Sequence, residues 1–113
     1  MHELAITKGV IDIVEAEAKK QGFTKVIEIK LRIGEYSGIV PECLRDFFPI
    51  ASAGSVAEGA RLVFESVPAS IRCLDCGFEG AAERKDHCCP ACGSSAIQMT
   101  SGREFYVENL TVE

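Results

Sequence analysis

Two cysteine pairs carry the clearest chemistry in this sequence. In "CLDCG" and "CPACG" two residues separate the members of each pair, so that one tight turn can present both sulfurs to one ion. A glycine follows each pair and permits the backbone angles that such a turn requires. Together the pairs supply the tetrahedral set of thiolates that Zn²⁺ prefers. The predicted zinc ligands are Cys73, Cys76, Cys89 and Cys92.

Paired cysteines also occur in redox sites and iron centres. A redox dithiol needs a single CxxC, usually in a thioredoxin-like βαβ context that is missing around these pairs. Tetrahedral sulfur ligation suits iron as well as zinc, so the residues alone leave an iron centre open. Four thiolates would close the coordination sphere and leave no position for an activated water. We therefore predict a structural site, with zinc favoured, and not a hydrolytic centre.

The other cysteines receive plainer interpretations. His87 and Cys88 directly precede the second pair, in "HCCPAC". We interpret them as an ordinary loop histidine and a thiol outside the metal site, although Cys88 could replace Cys89 as a ligand. Cys43 lies among large apolar residues of a predicted helix, and we expect a small buried side chain there, not a nucleophile.

The opening "MHE" is a second candidate metal site. The Met1 amine, the His2 backbone amide and the His2 imidazole lie within one residue of each other, and Glu3 can complete the set. Nitrogen donors in a plane suit Ni²⁺ or Cu²⁺ better than Zn²⁺. The residues alone nevertheless favour a simpler interpretation, in which His2 is exposed and Glu3 favours the positive end of a helix dipole.

The composition is that of a globular protein. A length of 113 residues with 47% hydrophobic content fits one domain, or one domain with a small appendage. The net charge of −5 gives no basic field toward nucleic acid or anionic lipid, so we expect neither as a partner. No apolar run is long enough to cross a membrane, and the N-terminus lacks a basic leader. These observations predict a cytoplasmic protein.

Hydrophobic spacing predicts two helices. Apolar residues recur at helical intervals from Leu4 to Ala18, and Ile13 is expected to broaden this buried stripe. Pro41 fits the first turn of a second helix. Pro49 is expected to kink or end that helix near Phe48, because proline lacks a backbone donor and clashes with the preceding turn.

Alternating residues predict three strands. "KVIEIKLRIGEY" indicates a half-buried strand, while "RLVFESV" and "REFYVENLTVE" indicate two more. The side chains expected on the buried face of the first strand are Ile27, Ile29, Leu31 and Ile33. Residues 70–99 are rich in Cys and Gly, and a segment this short needs metal, disulfides or a partner to fold. The predicted fold class is α+β: a small mixed three-stranded sheet with two helices, plus an inserted zinc-ribbon module.

Several motifs in the same order resemble the HypA/HybF family of hydrogenase nickel-incorporation proteins. They are "MHELAI", "IEIKLRIGEYSGIVPECLRDFF", "AEGARLVFE", the two CxxCG pairs and the closing "GREFYVENLTVE", and they span nearly the whole chain. The resemblance implies a non-enzymatic nickel metallochaperone with a structural zinc site. It implies nickel ligation by Met1 through its amine, by His2 and by Glu3. Residues 1–69 and 100–113 would then form a nickel-binding α/β domain, and residues 70–99 a zinc-binding domain.

The resemblance also implies partners. Family members help to deliver Ni²⁺ to the precursor of the [NiFe] hydrogenase large subunit, usually with a HypB-type GTPase. In some organisms they also serve urease, which adds urease accessory proteins to the expected partners. We expect a monomer or a weak homodimer.

Two other functions compete with nickel delivery. A nucleic-acid-binding zinc ribbon is disfavoured because residues 70–99 hold three basic against four acidic residues, and Phe78 is their only aromatic residue. A structural adaptor, in which zinc shapes a docking surface, differs from a chaperone by keeping its activity without nickel. The response to nickel therefore distinguishes adaptor from chaperone.

Overall fold

The computed structural model describes residues 2–82 and 87–113, with only the backbone at position 2. It contains two helices and six strands in those residues. In chain order they are α1 (His2–Gln21), β1 (Val26–Gly34), α2 (Pro41–Ser52), β2 (Arg61–Val67), β3 (Ser70–Cys73), β4 (Glu79–Ala81), β5 (Ile97–Ser101) and β6 (Phe105–Val112). Neither helix is both long and apolar enough to span a lipid bilayer.

A mixed three-stranded sheet has the strand order β2-β1-β6. The N–H of Glu35, just past β1, donates to the carbonyl of Val67 at the end of β2 (2.9 Å), so these two strands end together and run parallel. The N–H of Gly34 donates to the carbonyl of Glu104, just before β6 (2.7 Å), so β6 runs antiparallel to β1. The predicted α+β fold class is confirmed.

The helices pack against each other, and their apolar side chains form the core with β1. Val14, Ile29 and Leu31 are at most 1% exposed. The expected burial of Ile13 is wrong, because this side chain is 57% exposed. Ile13 precedes Val14 and therefore lies about 100° around the helix from it. Ile27, at the start of β1, is 44% exposed and was also wrongly expected in the core.

Helix α2 continues through its proline. It begins at Pro41 and ends at Ser52, so an end near Phe48 is wrong, while the alternative, a kink at Pro49, stays a prediction. The missing N–H of Pro49 removes a single helical hydrogen bond, the one to the carbonyl four residues earlier. Phe48 and Ser52 are 6% and 1% exposed, and this burial holds the last turn in place.

The chain divides into two compact units. One contains α1, most of β1, α2, most of β2 and Tyr106–Glu113; the other contains Ile33–Gly38 and the chain from Ser66 to Phe105. The second unit holds an antiparallel sheet of order β4-β3-β5, in which Ile71 pairs with Gly80 and Met99. The domain boundaries drawn from the sequence remain a prediction.

Candidate metal centre

The first cysteine pair forms a tight turn at the end of β3. The N–H of Gly77 donates to the carbonyl of Cys73 (3.1 Å), and the N–H of Cys73 donates to the carbonyl of Phe78 (2.8 Å). Gly77 has a φ of 79°, in the left-handed region that disfavours a side chain. The N–H of Cys76 points at the Cys73 sulfur (3.4 Å). The glycine after the pair thus has the turn-forming role that the sequence predicted.

The second pair repeats this turn. The N–H of Gly93 donates to the carbonyl of Cys89, and the N–H of Cys89 donates to the carbonyl of Ser94, both at 2.8 Å. Gly93 has a φ of 77°. The N–H of Cys92 lies 3.5 Å from the Cys89 sulfur. The repeated pattern begins at Cys89 and not at Cys88.

The two turns bring four sulfurs together. The Sγ atoms of Cys73 and Cys92 are 3.6 Å apart, as are those of Cys76 and Cys89, and all four lie within 4.8 Å of one another. A tetrahedral zinc ion with ordinary Zn–S bonds separates its sulfurs by about 3.8 Å. The cluster therefore has the size of a Zn²⁺ coordination shell. Cys73 and Cys89 are buried, whereas the other two are exposed.

The electrostatic environment of the four-sulfur cluster favours one thiolate and disfavours the ionisation of a second thiol. Burial raises the pKa of Cys89. Hydrogen bonds from the N–H groups of Cys92 and Ala91 and from the neighbouring thiols lower it by a larger amount, so that the pKa falls to about 7. The N–H of Ser94 lowers the pKa of Cys92, but Cys76, burial and the remaining thiols raise it to about 12. A second thiolate is disfavoured by the charge of the first. Four thiolates so close together therefore require a cation.

The predicted nickel ligands lie at the start of α1. Met1 and the His2 side chain fall outside the described residues, while the His2 backbone begins the helix. Glu3 is half-buried in the first helical turn, and its carbonyl accepts a hydrogen bond from Thr7 Oγ1 (2.5 Å). The first four N–H groups of an α-helix have no acceptor within the helix. The amides of positions 2 and 3 are thus not used by the helix.

The other singled-out residues lie elsewhere. His87 adopts a left-handed φ of 58°, and its ring centroid is 6.4 Å from that of Tyr36. These two residues, together with Cys88 and Met99, are among those lining a cavity of about 170 Å³. Cys43 is half-buried, less enclosed than the sequence predicted. No pattern in the sequence placed His87 beside Tyr36, because the contact joins distant segments.

An ion-pair network on β1 was also missed. Lys30 and Arg32 both pair with Glu65 of β2 and Glu108 of β6, at distances of 2.7–3.4 Å. Alternation along β1 predicted a half-buried strand, but not which strands lie on either side of it. The ion-pair partners of Lys30 and Arg32 follow only from the strand order β2-β1-β6.

The comparison with known proteins decides the family. Residues 1–112 match the family model described as hydrogenase/urease nickel incorporation, metallochaperone, HypA. The chain belongs to this family. Its members are metallochaperones, so the predicted non-enzymatic nickel-delivery function is confirmed.

Similar proteins cover the chain from end to end. The hydrogenase maturation factor HypA of Azotobacter vinelandii is 41% identical over 113 residues, and that of Caldanaerobacter subterraneus is 39% identical over 114; both alignments cover 100% of each chain. A solution structure of a HypA protein is 25% identical, with a TM-score of 0.77 and coverage of 100% of this chain and 97% of the other. The solution structure of the nickel metallochaperone HypA from Helicobacter pylori is 22% identical, with a TM-score of 0.71 and coverage of 97% and 96%, and supports the fold alone.

Proposed function

We propose that this HypA-family chain binds Ni²⁺ through the Met1 amine, His2 and Glu3, and passes the ion to a hydrogenase precursor. The observation that carries the proposal is the position of His2 and Glu3 as the first residues of α1. Their backbone amides have no acceptor within the helix, so metal ligation would not break a helical hydrogen bond.

The donor chemistry fits a transferred ion. Amine, amide and imidazole nitrogens close fused chelate rings around one metal, and such planar nitrogen sets suit Ni²⁺. Each donor must be deprotonated, so binding releases protons and weakens as pH falls. The ligands come from a single short segment, so a partner could displace them one at a time.

We propose that Cys73, Cys76, Cys89 and Cys92 hold a structural Zn²⁺. Three features support this ligand set: the sulfur spacing, the repeated turn geometry and the charge that four thiolates would carry. When bound, Zn²⁺ supplies ligation energy that stabilises the two turns. The thiolates fill all four positions and leave none for a water, which makes the site structural.

We also propose the partners and compartment of this chain. The family role in hydrogenase or urease nickel incorporation implies partner proteins. The sequence contains no Gly-rich phosphate loop, so a HypB-type GTPase would supply nucleotide hydrolysis. The large-subunit precursor of [NiFe] hydrogenase would accept the ion, and urease accessory proteins are further partners. Delivery to such clients would take place in the cytoplasm.

A pair of histidine variants tests the nickel site. His2 and His87 are the two histidines of the chain, so His87→Ala is a matched control for His2→Ala. Calorimetric titration of zinc-loaded protein should show specific Ni²⁺ binding in the wild type and in the control, and its loss in His2→Ala. Zinc content should be the same in all three. Equal Ni²⁺ binding by the two variants would overturn the assignment of His2.

A further inference from the structure

A groove runs between α1 and β6 in the first unit. Its volume is about 430 Å³. The residues that line it are Ile13, Glu17, Gln21, Phe23, Val107, Glu108, Asn109, Leu110 and Val112, and we call it the α1–β6 groove. One wall is therefore a helix with the loop residue that follows it, and the other is a β-strand.

The strand wall is the edge of a sheet. In the order β2-β1-β6, β6 pairs with β1 on one side only, within the part of the chain that the structure describes. Glu104 accepts a hydrogen bond from β1 at Gly34, and such pairs recur at every second residue of an antiparallel ladder. Val107 occupies an alternate position near this pair, so its N–H and C=O groups face away from β1.

Two of the usual protections of an edge strand, proline and lysine, are absent from β6. Edge strands are commonly kept short or carry proline or lysine, which discourage an added strand. The sequence of β6, "FYVENLTV", is eight residues long and contains neither. Its outward backbone groups are therefore a template for another extended segment.

The groove is partly apolar and exposed. Ile13 is 57% exposed and Val112 is 40% exposed, and both line the groove. Alternate side chains of an added strand would point to one face of the sheet, where they would cover Ile13 and Val112. The exposure of Ile13, unexpected for a residue of an amphipathic helix, thus coincides with an unpaired strand edge.

The charge of the groove indicates what it would accept. Its lining contains Glu17 and Glu108 but no lysine or arginine. Glu108 is paired with Lys30 and Arg32 of β1, whereas Glu17 accepts a hydrogen bond from the neutral Gln21. A second copy of this chain would bring the same carboxylates and a net charge of −5. A segment with a basic residue complements the groove better.

We propose that the α1–β6 groove binds an extended segment of a partner protein, which adds to β6 as a fourth strand. Its alternate side chains would be apolar and face Ile13 and Val112, and a lysine or arginine would pair with Glu17. Helix-and-strand grooves bind peptides in this way in domains that use strand addition, with backbone hydrogen bonds providing affinity. Peptide binding in this groove does not depend on the proposed nickel ligands, so each of the two proposals can fail without the other.

The test uses a peptide of eight residues, the length of β6, with alternating valine and lysine and blocked ends. A second peptide has the same side chains but carries N-methyl groups on alternate amides, which removes strand donors and keeps the charge. With ¹⁵N-labelled, zinc-loaded protein, the first peptide should shift the amide signal of Val107 and slow its exchange. The methylated peptide should bind at least about tenfold more weakly. Equal binding of the two peptides, or no protection of the Val107 amide, would overturn the proposal.

Two variants at one position provide the matched comparison. Val107→Pro removes an outward N–H, a change that an edge strand tolerates, while Val107→Thr keeps it. Only Val107→Pro should weaken peptide binding. If Val107→Pro does not fold, the methylated peptide on wild-type protein still decides the question. Sedimentation of the protein alone tests whether a second copy occupies the groove instead: a dimer that Val107→Pro dissociates would overturn the partner-segment assignment.

Discussion

Gly34 and Gly102 meet backbone to backbone. A Cβ built on Gly34 would lie 2.2 Å from the carbonyl oxygen of Gly102, far inside van der Waals contact. Gly102 has a φ of 118°, and a Cβ built there would lie 2.8 Å from Cα of Ala69. The carbonyl of Gly102 also accepts a hydrogen bond from the N–H of Tyr36 (2.6 Å). This part of the second unit therefore requires glycine at both positions.

Gly34→Ala should destabilise the protein, because its methyl group would displace backbone that cannot move as a side chain does. We expect a loss of about 1–3 kcal/mol in the free energy of unfolding. Gly9→Ala is the control: a Cβ there has no atom within 4 Å, and the residue lies inside α1. It should stabilise the protein by about 0.5–1 kcal/mol. Urea denaturation measures both changes, and equal midpoints would contradict the geometric account.

Neighbouring cysteines should respond differently to serine substitution. Cys89 belongs to the four-sulfur cluster and Cys88 does not. Cys89→Ser should therefore lower zinc content and speed amide exchange in β3–β5, because ligation stabilises these turns. Cys88→Ser should retain zinc. Metal analysis with hydrogen exchange measures both effects; zinc loss in Cys88→Ser alone would show that the ligand assignment is wrong at this pair.

The Glu65 carboxylate should make stability depend on acid pH. Its pKa lies below the ordinary 4.5, chiefly because Lys30 donates a hydrogen bond to it, with Arg32 adding a second positive charge. A carboxyl with a lowered folded pKa stabilises the protein above its unfolded pKa, and the contribution is lost as pH falls through the folded pKa. The stability difference between wild type and Glu65→Gln should thus be present at neutral pH and shrink below about pH 4.

Glu35→Gln is the control for this pH dependence, since Glu35 is exposed and lies outside the Lys30 and Arg32 network. Denaturation curves at several pH values give the differences from wild type. Acid-induced metal loss affects all three proteins and cancels in these differences. A Glu65→Gln difference that is constant with pH would contradict the predicted role of the ion pair.

Adjacent residues on α1 should differ in their contribution to stability. Val14 is fully buried in the core, so Val14→Ala should cost roughly 1–3 kcal/mol of unfolding free energy. Ile13 is 57% exposed, and Ile13→Ala should cost less than about 0.5 kcal/mol. Thermal or urea denaturation compares them. A larger loss for Ile13→Ala would restore the core position that the sequence pattern suggested.

Local patterns predicted local structure well. The spacing of each cysteine pair and the glycine after it correspond to the turns at Cys73 and Cys89, because a few adjacent residues decide the backbone angles there. The alternation in β1 likewise predicted the burial of Ile29 and Leu31. Such features need no knowledge of distant segments.

Features that depend on distant segments could not be read from the sequence. The apolar residues of α1 allow more than one buried stripe, and only the folded structure, in which α1 packs against α2, shows that Ile13 lies outside the core. Pro49 stays helical because the buried turn after it outweighs one lost hydrogen bond. Arg32 pairs with Glu108, 76 residues away, and no local pattern joins them.

The central claim is that the opening residues hold Ni²⁺ through the amine of Met1. Its most direct test is a Ni²⁺ titration of zinc-loaded protein, by calorimetry with absorption spectra, with and without a dipeptide added before Met1. The extension leaves every side chain in place but moves the α-amine away from His2. We predict that the native terminus binds a specific Ni²⁺ ion and that the extended form loses or alters this binding. Identical titrations and spectra for the two forms would place the nickel ligands elsewhere and contradict the claim.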